Sequence, residues 1–157
     1  MSTEDHKFLD AIVMQDLSKV TALLREGQDA NVRENLPWEH GETALMLAVQ
    51  FDKTGEIVRA LLDYGANVNA RDKRCGRTSL MYKVHPLLIE RGADVNAHDE
   101  EGRSVLQWAV ERGDVKEVEM LLKHGVEVKG TEGVRAIETA QRYGFTAIAE
   151  LVEASHH

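Results

Sequence analysis

The side chains best suited to catalysis or metal binding in this sequence are its histidines, and they are scattered. Zinc sites usually take two ligands from one short segment, such as a pair of cysteines or a His-x-x-x-His spacing, and neither occurs here. The sequence also lacks a glycine-rich phosphate loop and the G-x-S-x-G context of a nucleophilic serine. We therefore predict no enzyme activity, no catalytic residue, no metal and no cofactor. We interpret these residues as surface or capping histidines: His6, His40, His85, His98 and His124.

Cys75 is the only cysteine, and it lies within the basic segment NARDKRCGR. Positive neighbours such as Arg74 and Arg77 lower the pKa of a thiol, so a reactive cysteine is one interpretation. An incidental loop cysteine is the other, and we favour it. With no second cysteine, no disulfide can form within the chain, and nothing requires an oxidising compartment.

Length and composition restrict the class of protein. The chain has 157 residues, enough for one domain with a core, and its composition of 43% apolar and 29% charged residues is typical of globular proteins. An aromatic content of only 5% favours packed helices over a β-sandwich. The net charge of −8 repels polyanions, so we expect no nucleic-acid partner. No segment approaches the roughly 18 apolar residues of a membrane span, so we expect a cytoplasmic protein without membrane contact.

A repeated pattern organises the chain. Four glycines each follow a leucine-rich helical segment, at intervals of 38, 27 and 33 residues: Gly27, Gly65, Gly92 and Gly125. Between them recur the segments GETALMLAV, GRTSLMYKV and GRSVLQWAV. Each has a hydroxyl residue that is suited to cap a helix, namely Thr43, Thr78 and Ser104. The apolar residues that follow have helical spacing, and the next glycine is suited to end a second helix.

These segments, in register with one another, resemble the ankyrin repeat family, whose 33-residue unit is a helix–turn–helix with a β-turn. The resemblance covers about residues 5–154. It implies an all-α solenoid of helix–turn–helix units joined by β-turn loops, with about five repeats including two caps. We expect one domain over 1–154, divided into 5–36, 37–72, 73–99, 100–130 and 131–154. Residues 155–157 resemble a tail with the remnant of an affinity tag.

Two features depart from the family pattern. The tetrads TALM, TSLM and SVLQ lack the proline and histidine of T-P-L-H, which implies a less regular and less stable array. The third copy is also six or seven residues short. From Thr78 its first helix can reach only about Lys83, and Pro86 is suited to begin a second helix that ends near Arg91. We expect a bend or groove between the second and fourth copies, partly filled by Met81, Tyr82 and Trp108.

The resemblance implies a concave surface of β-turn tips and first helices that binds another protein. Carried over by position, the binding residues are Trp38, His40, Glu42, Met46, Lys73, Arg74, Arg77, Met81, Glu101, Arg103 and Gln107. Trp38 is the strongest single candidate, because a large aromatic side chain on a loop suits a binding hot spot. A hydrophobic lid over the first repeat is an equal interpretation of Trp38. The basic segment is interpreted equally as a contact for an acidic partner or as a solvated turn.

We therefore predict a non-catalytic protein-binding module or scaffold that is a monomer. One alternative is an inhibitor or immunity protein that neutralises an enzyme or toxin by covering its site, which suits an acidic chain with a basic target. A more distant alternative is a small-molecule binder or enzyme that uses the groove at the short copy.

Overall fold

A computed structural model describes residues 2–35 and 40–156, and these residues are almost entirely helical. Ten helices occur in the described part of the chain: α1 (Thr3–Val13), α2 (Leu17–Arg25), α3 (Ala44–Phe51), α4 (Glu56–Asp63), α5 (Ser79–Tyr82), α6 (Pro86–Glu90), α7 (Val105–Arg112), α8 (Val115–Lys123), α9 (Thr131–Arg142) and α10 (Thr146–His156). Strand-like pairing there is limited to two isolated bridges, Arg33 with Thr43 and His98 with Ser104. The all-α prediction is confirmed. None of these helices combines the length and apolarity needed to cross a membrane.

Side-chain caps set where most of the helices begin. The hydroxyls of Thr43 and Ser104 accept hydrogen bonds from the N–H groups of Met46 and Gln107, as the sequence predicts. The carboxylate of Asp114 caps α8 in the same way. At the opposite end, α10 continues to His156 and so includes residues that the sequence suggests as a tail.

The helices form two rows, and contacts between neighbouring helices hold these rows together. Helices α1, α3, α5, α7 and α9 contact one another in that order, and we call them the first-helix row. In the second-helix row, α2 contacts α4 and α8 contacts α10. One continuous hydrophobic cluster extends from Phe8 in α1 to Val152 in α10. Leu45, Leu80 and Leu106, which hold the same position in three copies, are at most 1% exposed within it.

Asparagine side chains join successive copies at their glycine turns. Asn31 accepts a hydrogen bond from the Asn67 N–H and donates one to the Gly65 carbonyl. Asn69 makes the corresponding pair of bonds with the third copy, and Asn96 accepts from the Glu127 N–H of the fourth. These bonds satisfy main-chain groups that the helix ends leave unpaired.

Arginines join the loop tips in the same manner. Arg33 donates to the carbonyls of Gly41 and Arg71, and Arg71 donates to those of Gly76 and His98. Part of the basic segment is therefore structural, because the Arg71 guanidinium holds two consecutive loops together.

The short copy forms the two brief helices that its length predicts. Helix α5 has four residues and α6 has five, within one residue of the expected ends. Because α6 is so short, the second-helix row has a cleft on each side of it. A cleft of about 440 Å³ separates α6 from α4 near Arg59, and one of about 390 Å³ separates it from α8 near Met120.

The fourth copy supplies hydrogen bonds that the missing helical turns leave open. Arg112 donates to the Met81 carbonyl at the end of α5, and the Glu117 carboxylate accepts from the Val84 N–H. Arg112 and Glu117 also form an ion pair, and Glu117 is only 6% exposed. The side chains of Arg112 and Glu117 therefore provide the hydrogen-bond partners that α5 and α6 are too short to provide themselves.

The cap predicted at Thr78 is not formed. The Met81 N–H donates to the Thr78 main-chain carbonyl in a tight turn, so the threonine hydroxyl receives nothing. Among the described residues, the buried hydroxyls of Thr78 and Ser79 have no hydrogen-bond partner. Unpaired buried hydroxyls destabilise a fold, so this is a local weakness of the short copy.

We expect Glu117→Ala to lower the free energy of unfolding by about 3 kcal/mol, because it leaves the Val84 N–H and the Arg112 guanidinium without their partner. Urea unfolding followed by circular dichroism measures the change. Glu119→Ala, an exposed position on the same helix, is the matched control and should change it by less than about 0.5 kcal/mol. Equal effects of the two variants would contradict the role given to Glu117.

Ser79→Ala should leave the free energy of unfolding unchanged or raise it by up to about 1 kcal/mol, because it removes an unpaired buried hydroxyl. Ala44 already holds this position in the second copy. Ser104→Ala removes a working helix cap and should cost about 1 kcal/mol. Urea unfolding measures both variants. If Ser79→Ala lowered the free energy of unfolding as much as Ser104→Ala does, the Ser79 hydroxyl could not be unpaired.

The stability of α6 should depend on pH through His85, whose Nδ1 accepts from the Leu87 N–H at 3.2 Å. Burial, together with the charge of Lys83, lowers the pKa of His85 below its ordinary value of 6.5. As the pH falls below 6.5, the unfolded chain takes up this proton first, so the free energy of unfolding decreases until the folded pKa is passed. His85→Asn keeps a capping acceptor without a titrating ring and should lack this decrease. Urea unfolding at about pH 7.5 and about pH 5.5 tests it, and an identical pH dependence in both proteins would count against the prediction.

Candidate functional site

The loop tips and the first-helix row share one surface, which we call the first-helix face. At its N-terminal end lies a shallow apolar pocket. Val13, Leu47 and Phe51 supply its apolar lining, and Phe51 is 40% exposed. Gln50 and the loop residues Glu34, His40 and Glu42 surround them. This end of the face can accept an apolar side chain.

A buried carboxylate organises the next loop tip. Asp72 accepts hydrogen bonds from the main-chain N–H of Cys75, from the Tyr82 hydroxyl and from Arg77 Nε at 2.9 Å. Burial alone would raise the pKa of Asp72, but these hydrogen bonds outweigh it and hold the pKa below its ordinary value of 3.8. The same environment raises the pKa of the Tyr82 hydroxyl, chiefly by burial and by its bond to Asp72. The carboxylate is thus ionised and fixes both Arg77 and Tyr82.

The following copy repeats this unit with tryptophan in place of tyrosine. The buried carboxylate of Asp99 accepts from the main-chain N–H of Glu101, from Arg103 Nε at 3.1 Å and from Trp108 Nε1 at 3.0 Å. In both copies the arginine follows the loop glycine and the aromatic residue stands five positions later. Two successive loops therefore each hold one arginine against one aromatic ring.

The rings and guanidinium groups of the two units contact one another. The Arg77 guanidinium carbon lies 4.3 Å from the centre of the Tyr82 ring and 5.4 Å from that of Trp108. Arg103 lies 4.0 Å from the Trp108 ring centre. These are cation–π distances, so the centre of the face is a rigid cluster of two arginines and two aromatic side chains.

Beyond this cluster the face becomes rich in carboxylates. A groove of about 330 Å³ between α7 and α9 is lined in part by Glu101, Glu111, Glu132 and Glu138. Gln107 crosses its floor and donates to the Thr139 hydroxyl. Arginines on the same walls offset part of the charge. The face therefore changes from apolar to basic and aromatic and then to mixed acidic along the chain.

Several of the residues predicted to bind a partner are accessible on this face. Lys73, Arg74 and Glu101 are exposed. His40, Arg77, Arg103 and Gln107 are half-buried and keep part of their side chains at the surface. Trp38 lies outside the described residues, so its predicted role stays a prediction.

Other predicted residues are not accessible. Met46 and Met81 are at most 1% exposed, so they belong to the core and cannot contact a partner. Glu42 is only 8% exposed, because Gln50 donates to its carboxylate and His40 lies 3.6 Å away.

The methionine error has a geometrical reason. One residue along a helix turns the side chain by about 100°, so the residue after each methionine lies closer to the first-helix face. Leu47 lines the apolar pocket although it is only 4% exposed, and Tyr82 is half-buried. Leu47, Tyr82 and Trp108 are candidate site residues that the sequence did not predict as binding residues. The sequence does carry a signal for these positions, because a bulky side chain stands six residues after each loop glycine.

Cys75 does not have the activated thiol that its basic neighbours suggested. Burial raises the pKa of Cys75, and the lowering effect of Arg77 does not overcome it. Among the described residues, no group of three or more His, Cys, Asp or Glu side chains is placed to hold a metal ion.

Comparison with known proteins places this architecture in a family. A family profile described as "Ankyrin repeats (3 copies)" matches residues 9–85 and 83–156. Human SH3 and multiple ankyrin repeat domains protein 2 is 33% identical over 88% of this chain, which spans 8% of that protein. Human ankyrin repeat domain-containing protein 63 is 33% identical over 76% of the chain, which spans 32% of it. B-cell lymphoma 3 protein homolog of mouse is 34% identical over 67% of the chain, spanning 26% of that protein. The chain therefore belongs to the ankyrin repeat family, as its repeated pattern indicates.

Proposed function

We propose that this chain is a non-catalytic binding module that holds another protein on the first-helix face. The observation that carries the proposal is the cluster of half-buried arginine and aromatic side chains at the centre of that face, with the exposed Arg74 beside it. Arginine, tyrosine and tryptophan are the residues most enriched in binding hot spots. Ankyrin repeats are in general protein-interaction modules, which supports the same conclusion for this member of the family.

Rigidity of the face favours tight binding. Arg77 and Arg103 each bond to a buried carboxylate and contact a ring, so little side-chain entropy is lost when a partner binds. The apolar pocket at Val13 and Phe51 supplies apolar contact area, which the charged cluster lacks. The proposal includes Trp38 as a binding residue, a monomeric chain and a cytoplasmic location. Sedimentation velocity tests the monomer.

The same binding would make the chain an inhibitor or an immunity protein if its partner were an enzyme or toxin whose site the face covers. The groove between α7 and α9, whose walls carry four glutamates and three arginines, is the part of the face with most carboxylates to offer a basic target. Assaying the partner's activity with and without the chain distinguishes inhibition from scaffolding.

We expect Phe51→Glu and Arg74→Glu each to reduce retention of the partner at least tenfold in affinity capture from lysate of the source cells, quantified by mass spectrometry. Both side chains lie exposed on the first-helix face. The matched controls are Tyr64→Glu, at the end of α4, and Arg59→Glu, within α4, because these side chains are exposed on the second-helix row. A protein that both face variants retain, and that a control variant loses, would place binding elsewhere and overturn the proposal. In the same capture assay, Trp38→Ala tests whether Trp38 contributes to binding.

A further inference from the structure

We propose that the centre of the first-helix face receives a carboxylate side chain from an acidic and apolar segment of the partner. The receiving site is a pocket of about 360 Å³ that we call the arginine–tryptophan pocket, lined by Arg74, Cys75, Arg77, Glu101, Arg103 and Trp108. This inference rests on the proposed function and specifies the chemistry of the segment that is bound.

The pocket presents guanidinium groups that are already oriented. Arg77 and Arg103 are each fixed through Nε by a carboxylate whose side chain is 0% exposed, Asp72 and Asp99 respectively. Both also lie against the Trp108 ring. A planar guanidinium group held in this way matches the geometry of a carboxylate, and Arg103, whose side chain is 31% exposed, can bond to it through two N–H groups. Arg77 is 15% exposed and already donates to the Tyr82 hydroxyl through Nη2, so it contributes mainly its charge.

The other charged groups of the pocket do not favour a cationic ligand. The two buried carboxylates already accept several hydrogen bonds each, so they offer nothing to a lysine or arginine of the partner. The exposed carboxylate is that of Glu101, whose side chain is 65% exposed and lies 3.1 Å from Arg103. An exposed ion pair of this kind contributes about 1 kcal/mol or less, so a partner carboxylate can displace it.

The rest of the face restricts what can flank that carboxylate. Toward the N-terminal end, the pocket at Val13, Leu47 and Phe51 accepts an apolar side chain. Toward the C-terminal end, Glu111 and Glu138 share the groove walls with Arg135 and Arg142, so this end does not attract a run of acidic residues. The segment that fits is therefore extended, with acidic residues at its centre and an apolar residue on one side.

A library of random twelve-residue peptides, displayed on phage and selected against the full chain, tests this directly. We expect the selected peptides to be enriched in Asp and Glu next to an apolar residue. A synthetic copy of a selected peptide should bind about tenfold more weakly to the Arg74→Gln or Arg103→Gln protein. Replacing the acidic residues of the peptide by Asn or Gln should weaken its binding to the same extent. Arg59→Gln carries the same charge change on the second-helix row and should leave the affinity unchanged. Affinity should also fall as the salt concentration rises.

The outcomes separate this inference from the proposed function. Selected peptides that lack acidic residues but lose affinity with Phe51→Glu would overturn the inference and leave the first-helix face as the binding surface. Peptides that lose affinity with Arg59→Gln and not with Arg103→Gln would count against both. Failure to select any peptide would overturn the inference, because a preformed pocket for an extended segment requires such binding, while capture of a folded partner on the face would still support the proposed function.

Discussion

Burial of each helix pair against the next is the constraint on which the rest of this structure depends. No pair encloses a core of its own: the hydrophobic cluster runs through all of them from Phe8 to Val152. Asparagine and arginine side chains then fix the loops of one copy to those of the next. A stack held in this way leaves exposed positions on the first helices and loop tips, such as Phe51 and Arg74, that can vary without loss of the fold.

The fold was predictable from the sequence because its signals are local and repeated. Glycines at the ends of helices, hydroxyl caps and helical spacing of apolar residues each specify a short segment, and their recurrence specifies the array. Even the short copy was predicted to within a residue, since chain length and Pro86 allow few alternatives. What the sequence could not supply was the compensation by Arg112 and Glu117, because residues some thirty positions away in sequence meet Met81 and Val84 only once the copies stack.

The candidate surface was less predictable than the fold. The loop residues Lys73, Arg74 and Arg103 lie where the sequence placed them, since a loop tip projects whatever its exact turn. Helical positions are more demanding, and an error of one residue selected buried Met46 and Met81 instead of Leu47 and Tyr82, which follow them and contribute to the first-helix face. The pairing of Asp72 and Asp99 with arginine and aromatic side chains depends on three-dimensional distances that no spacing rule supplied.

The dependence of the short copy on Arg112 and Glu117 has a consequence for synthesis on the ribosome. The chain emerges from its N-terminus, so the first two copies can pack together as soon as they leave the exit tunnel. The third copy then waits with its main-chain groups at Met81 and Val84 in water, because their partners have yet to be translated. The third copy can already pack α5 on α3 of the second copy, but these two groups obtain their partners only when the following thirty or so residues arrive. Completion of the shortest unit is therefore the later of two stages in the assembly of the nascent protein.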